Sequence, residues 1–241
     1  MKNNRTSPTI VSLSYVIGAI IGLYLVVVSA WANMESAFYG FSRLADAGLG
    51  GFNCPVLMTR DETRAISLTV SNKTDGLISP AVKTEISTSN ITQEFLENME
   101  LAPGESIKLE WTVGPDNVDL ERFIFAKTLM FSAHPLPNRE ATCGIFVINL
   151  PGSGRVILPI MVVLSLLGMG WGLYMMNKSG DSTAWVTSHI RPMTFLAVLI
   201  ALGFVVSFMG GWVPSILLLA AALLMIVILL GSFILSERRK K

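Results

Sequence analysis

Three stretches of this chain, residues 6–34, 156–177 and 192–236, contain no Asp, Glu, Lys or Arg. A globular core interleaves charge every few residues, because each helix or strand keeps one face in water. Charge-free apolar windows of about 20 residues are instead what roughly 30 Å of hydrocarbon requires of a helix. The third stretch is long enough for two such helices, divided at Gly210-Gly211-Trp212, so four transmembrane helices are predicted. Composition agrees: 51% of the residues are hydrophobic and mean hydropathy is +0.57, too apolar for an ordinary soluble domain.

The charge is concentrated elsewhere. Of 35 charged residues, 25 lie between Ala32 and Arg155, ten basic and fifteen acidic, so the chain's net +1 hides a local −5. This segment reads as a folded domain carried between helices one and two. The predicted organisation is an N-terminal tail and first span over 1–32, a juxtamembrane amphipathic helix and Gly-rich linker over 33–52, a β-domain over 53–151, and spans two to four over 152–241. Those last spans are expected at about 156–176, 193–209 and 213–235, with Pro159 in a first turn, Pro192 just before a helix, and Pro214 at a helix start, where a missing N–H does no harm.

Orientation follows from basic residues in short loops. Lys2 and Arg5 precede span one, Lys178 and Arg191 bracket the loop between spans two and three, and Arg238–Lys241 end the chain. All fall on one side of a four-span arrangement, so that side is expected to be cytoplasmic and the charged domain extracytoplasmic, with the plasma membrane as location. A cleaved signal peptide is the rival for span one. Ala30-Trp31-Ala32 has the small-x-small form of a cleavage site, but the apolar stretch exceeds the usual length of about 7–15 residues.

Within the charged segment the hydrophobic period is first helical, then two. Met34, Phe38, Phe41, Leu44 and Ala45 recur at helical spacing, and Gly48, Gly50 and Gly51 end that pattern. This is either a separate juxtamembrane helix or an extension of span one packed on the domain. Thereafter Ile66, Leu68 and Val70, then Val82, Thr84 and Ile86, then Ile107, Leu109, Trp111 and Val113 alternate with small, polar or charged neighbours. Residues 122–133 and 142–150 form two further apolar runs. Turn chemistry at Asn72–Gly76, Pro103–Glu105, Gly114–Asn117 and Pro135–Asn138 separates them. Six or seven half-buried strands imply an all-β sandwich of two sheets.

The run Ala65–Asp75 (AISLTVSNKTD), followed by Leu101-Ala102-Pro103-Gly104-Glu105-Ser106 and an alternating strand, resembles bacterial and archaeal immunoglobulin-like ectodomain modules over about residues 53–150. They share a strand ending in an Asn-x-Thr-Asp turn and a Pro-Gly-Glu turn opening a later strand. The resemblance implies an immunoglobulin-like sandwich used in adhesion, scaffolding or partner binding. It departs from antibody-type domains in lacking a mid-strand Cys–Trp–Cys pattern. Cys54 and Cys143, the two cysteines of the chain, sit near the ends of the module. A disulfide between them fits an oxidising compartment and would tie the first strand to the last; two separate buried thiols is the plainer alternative.

Chemistry is sparse. His134 and His189 fall on opposite sides of the membrane in this topology, and neither has metal-ligand spacing with the cysteines. Asp61-Glu62 opens a turn, and Glu94, Glu97 and Glu100 lie on a polar face; solvated charge is the expected state of both groups. No nucleophile, phosphate-binding or dinucleotide motif occurs, so no enzyme activity, catalytic residue, metal or cofactor is expected, and no nucleic acid partner. The spans hold hydroxyls (Ser14, Ser29, Ser165, Thr194, Ser207, Ser232) but no ionisable side chain of the kind that ion-coupled transport uses. They do hold small-residue pairs, Gly18-x-x-x-Gly22 and Gly168-x-x-x-Gly172, which allow close helix packing, though glycine is common in such helices. Asn72-Lys73-Thr74 and Asn90-Ile91-Thr92 match glycosylation acceptors. Two functions fit. One is a non-enzymatic multi-pass membrane protein whose disulfide-stapled β-domain binds other membrane or extracytoplasmic proteins. The other is an accessory subunit docked into a larger membrane complex or transporter through its helices.

Overall fold

The structure is a computed structural model, described here for residues 8–39, 47–89, 92–131, 137–178 and 184–238. It divides into two compact units, Met1–Ala30 with Leu158–Lys241, and Trp31–Ile157.

The first unit is helical. It takes α1 (Pro8–Phe38) as far as Ala30, most of α2 (Gly154–Lys178), and all of α3 (Ala184–Phe208) and α4 (Trp212–Arg238). Four windows, of 29, 25, 19 and 21 residues, are long and apolar enough to cross a membrane. Two prolines lie deeper than expected: Pro192 is inside α3 rather than before it, and Pro159 is the sixth residue of α2. Both helices begin earlier than their apolar runs, because the polar residues that precede those runs also take helical geometry. Gly210 ends the α3–α4 turn at φ +82°, with Gly211 N–H donating to Val206 O at 3.0 Å, the left-handed conformation that glycine supplies at a helix C-terminus. Tyr15, Leu25, Met169, Ile200 and Phe204 are buried at the centre. Leu217, Leu223, Leu224 and Val227 of α4 stand outward, each about 60% exposed.

The second unit is a β-sandwich with one apolar core. One sheet runs β1 (Ala47–Gly48), β9 (Arg139–Ile148), β8 (Phe123–Phe131), β5 (Ala81–Ile86), β6 (Gln93–Asn98), and β3 (Leu57–Thr59) adds in parallel to β9. The other runs β2 (Phe52–Asn53), β4 (Arg64–Ser71), β7 (Ser106–Val113). β4 and β7 pair antiparallel along eight residues, from Arg64↔Val113 to Ser71↔Ser106. The alternation read in the sequence therefore puts Ile66, Leu68, Val70, Trp111 and Val113 inward against Val82, Ile86, Ile124, Met130, Ile145 and Val147.

Nine strands are present among the described residues, where six or seven are expected; five of them fall on the runs named from the sequence and four are additions. Three of the additions, β1 to β3, are two or three residues long, and β1 and β2 arise in what reads as a Gly-rich linker. The fourth, β6, was read as a polar acidic face. Of the juxtamembrane segment, residues 33–38 continue α1, as the second of the two alternatives has it, and Phe41, Leu44 and Ala45 lie outside the described residues.

Cys54 and Cys143 are joined. Cys54 follows β2 and Cys143 lies in β9, so the bond links the two sheets. It closes a separation of 89 residues, worth about 4 kcal/mol in the chain-entropy account.

Candidate functional site

With no chemistry-bearing cluster to build from, the site with most structure in it is where the chain enters and leaves the β-unit. Entry is by the last turns of α1. Eight of the nine residues of β8 are buried, because both of its faces are covered. Ile124, Ala126 and Met130 face the core, while Phe123, Phe125, Lys127 and Leu129 face the other way.

The end of α1 lies on that second face. The Trp31 ring packs on Phe123 at 5.4 Å between centroids, and Tyr39 on Phe125 at 5.0 Å. Phe123 also stacks on Phe125 at 5.6 Å and meets Phe146 edge-on at 5.7 Å, geometries that aromatic quadrupoles favour. Between the two ring pairs the backbones touch: a Cβ on Gly144 would collide with the Ala32 carbonyl oxygen and carbon. Only glycine permits that approach. The Gly144 N–H donates to Asn33 Oδ1 at 3.3 Å, Trp31 Nε1 donates to Glu35 Oε1 at 2.9 Å, and the Tyr39 and Thr92 hydroxyls lie 3.0 Å apart. The unit thus has three layers: helix, large sheet, small sheet.

Exit is into the first turn of α2, and Glu62 holds it. Its Oε2 accepts the Gly154 N–H at 2.8 Å and the Thr59 N–H at 3.0 Å, and its Oε1 accepts the Ser153 hydroxyl at 2.6 Å. Arg64 Nη1 stands 3.5 Å away. A carboxylate at a helix N-terminus satisfies orphan amides and complements the helix dipole. Burial pushes the Glu62 carboxyl up, but the Ser153, Thr59 and Gly154 hydrogen bonds and the Arg64 charge outweigh it and hold it below the usual range. Thr59 Oγ1 adds a bond to Gly152 O at 2.8 Å. Glu62 was expected to be solvated; it is a structural cap instead, with partners some 90 residues onward.

The other singled-out residues distribute as follows. Gly18 and Gly168 meet: a Cβ on Gly18 would lie 2.7 Å from Ser165 O, and one on Gly168 3.0 Å from Ser14 O. Gly172 faces Val11 and Tyr15 of α1, whereas Gly22 faces Ser165 and also Ile200 of α3. The hydroxyls serve backbone carbonyls, three of them across helices: Ser165 to Gly18 at 2.8 Å, Ser14 to Gly168 at 3.2 Å, and Ser29 to Ser207 at 3.3 Å. Thr194 and Ser232 bond within their own helices.

Glu94 is paired with Lys83 at 3.3 Å, and Lys83 with Glu85 at 2.8 Å, not merely solvated. The Glu85 hydrogen bond raises the Lys83 ammonium, and burial raises the Glu97 carboxyl. Asn72 is buried, with Nδ2 donating to Gly76 O and Leu101 O and Oδ1 accepting from Thr74, so this sequon is an internal turn brace rather than an accessible acceptor. Asn90, His134 and the His189 side chain lie outside the described residues. Among the described residues no group of three His, Cys, Asp or Glu side chains could hold a metal ion.

No family model matches the chain, and no curated protein does. Among solved structures it is similar to a CARDB domain from Pyrococcus furiosus, solved with two metal ions, at 14% identity over 46% of this chain and 100% of that one, TM-score 0.32. Spo0M, a sporulation control protein of Bacillus subtilis, matches at 12% identity over 46% of this chain and 53% of its own, TM-score 0.27. A β-glucosidase from Erythrobacter marinus matches at 16% identity over 41% of this chain, TM-score 0.27, and the chain spans only 15% of that enzyme. Scores this low carry no argument about activity. What stands on the coordinates themselves is the class: four long apolar helices with a disulfide-bonded β-domain inserted between the first and second.

Proposed function

We propose that the chain is a multi-pass, non-enzymatic protein of the plasma membrane. It holds an immunoglobulin-like sandwich outside the cytoplasm to bind or scaffold other membrane or extracytoplasmic proteins. The observation that carries this reading is the fastening of both connections to the β-unit, Trp31–Tyr39 on its sheet and Glu62 on Gly154. A module tethered for reach would hang on flexible linkers; here residues 31–39 and 153–154 are packed into the β-unit itself. That fastening also supports a retained first helix, since cleavage after Ala32 would remove Trp31 from Phe123. The strand order β2-β4-β7 against β9-β8-β5-β6 suits an immunoglobulin-like module. The basic residues in the short loops support a cytoplasmic side for Lys178, Arg191 and Arg238–Lys241. Among the described residues β6 and β7 each pair on one side only, and the outer face beside β7 carries Lys108, Glu110 and Thr112, a polar surface fit for recognition.

The outward leucines of α4 favour a second reading, in which the helices dock into a larger membrane complex. Two photo-crosslinking positions in native membranes separate the two: Glu110 on the β-domain and Leu224 on α4. Specific adducts from Glu110 support presentation, and protein adducts from Leu224 alone support docking. A cysteine placed after Ser236 should also resist an impermeant thiol reagent in intact cells; labelling equal to that of a Lys73→Cys control would overturn the topology.

A further inference from the structure

At the end of the β-unit remote from α2, the two sheets part around a cavity of about 360 Å³. Its wall includes Gly50, Gly51, Thr69, Thr74, Lys73 and Arg139. Arg139 opens β9, and by the period of two it shares the inward face with Cys143, Ile145 and Val147. Its register partner on β8 is Met130, itself a core residue. The guanidinium stem is therefore drawn between the sheets, and Nε is buried with no hydrogen-bond partner.

That is an unusual state for an arginine. Buried polar groups are almost always bonded, yet Arg139 Nε is not, and the cavity's described lining contains no Asp or Glu beside Arg139 and Lys73. Part of the wall is backbone: Gly51 sits at φ +84° with its carbonyl accepting the Thr69 N–H at 3.0 Å, and nothing stands within 4 Å of where a Gly50 Cβ would be. The described lining thus offers two cations and no acid, and the group that complements it is a negative one with oxygen acceptors.

We propose that this cavity is a binding site for an oxyanion, a carboxylate or phosphate group held between the Arg139 guanidinium and the Lys73 ammonium. The planar fork of arginine matches both groups in bidentate fashion, and lysine adds a mobile point charge at the mouth. The ligand group could belong to a free phosphate species or to an organic acid such as a peptide terminus. β9 separates the cavity from the start of α2 by roughly 30 Å at strand rise, so the site is independent of that connection.

The test uses the full chain in a non-ionic detergent at constant chloride, with inorganic phosphate and acetate as separate probes read by ligand-observed NMR line broadening. The wild type should bind at least one probe: broadening by phosphate alone identifies a phosphate source, and broadening by acetate alone a carboxylate. Lys73 is exposed, so Lys73→Ser leaves the fold intact and should weaken binding about tenfold. Arg139→Gln should abolish it, with a thermal melt confirming that the domain is folded. No binding of either probe to the wild type, or unchanged binding in Lys73→Ser, would overturn the site.

Discussion

The helical unit and the β-unit bury the same kinds of residue and leave opposite ones outside. In the β-unit, Ile66, Leu68, Val82 and Ile145 are wholly buried, and Lys108, Glu110 and Thr112 face outward. In the helical unit, Ser165, Ser207 and Ser215 are wholly buried while Leu217, Leu223 and Leu224 are exposed. The contrast tracks the solvent that each surface would meet. In water, apolar burial drives packing at about 25 cal/mol per Å²; in the proposed bilayer the tails are as apolar as leucine, and only close packing and hydrogen bonds hold helices together. Glycine accordingly appears at close backbone contacts in both units, Gly144 on Ala32 and Gly18 on Ser165 and Gly168, but for different ends.

The largest expected effect probes that pair of glycines. Gly144→Ala forces a methyl into the Ala32 backbone, and neither partner can yield without lifting Trp31 off Phe123. Overpacking of this kind costs about 3 kcal/mol, so the β-unit should melt well below wild type and become sensitive to proteases. Gly18→Leu should lower the melting temperature in detergent while leaving the disulfide and the β-unit intact, because the bulk falls between α1 and α2. Val27→Leu, at an outward position, is the control. Equal melting of the Gly18 and Val27 variants would show that the glycine contact contributes nothing.

A smaller effect, dependent on pH, should separate the units by charge. Glu62 has a carboxyl held below its unfolded value, so the stability it confers is complete above about pH 4.3 and is lost as pH falls through its folded pKa. Glu62→Gln should cost roughly 2 kcal/mol at neutral pH, the scale of hydrogen bonds to a charged group. Nearly all of that difference should vanish in strong acid. Melting curves of both proteins at neutral and acidic pH would show convergence; a constant gap would mean that Glu62 acts through packing rather than charge.

How far these contacts were legible depends on their range. The β4–β7 ladder and the four helices could be read because period and charge are local properties of the chain. The β1 and β2 pairings could not, since two-residue strands carry no period. β6 is obscured because its two apolar residues, Phe95 and Leu96, are adjacent and fall on opposite faces, with Leu96 exposed and Glu97 sharing the covered side with Phe95. Glu62 looked solvated because its partners Ser153 and Gly154 are far along the chain, and Gly144 looked ordinary because its reason lies in the Ala32 backbone. The Cys54–Cys143 pair is legible because the chain has no other cysteine, and a tie between the first strand and the last is close to what forms: the bond runs from just after β2, at the edge of the small sheet, to β9 of the large one.

The smallest effect sharpens the comparison most, because it uses one residue type at equal burial. Ser87 and Ser165 are both fully buried. In the β-unit, Ser87 Oγ donates to Asn117 O at 2.7 Å and accepts the Phe125 N–H at 2.9 Å. Ser87→Ala would strand an amide and a carbonyl that water satisfied in the unfolded chain, a loss of about 2 kcal/mol. In the helical unit, Ser165 Oγ donates to Gly18 O at 2.8 Å, but that carbonyl already serves the α1 ladder, so nothing is orphaned when the hydroxyl goes. Moreover, an unfolded helix in a bilayer finds other partners for its serine, and such bonds average about 0.6 kcal/mol. Ser165→Ala should therefore shift the melt by a third or less of what Ser87→Ala does, measured in the same detergent and at the same pH. Equal shifts would mean that the two serines share one reference state, and the assignment of different solvents to the two units would fail.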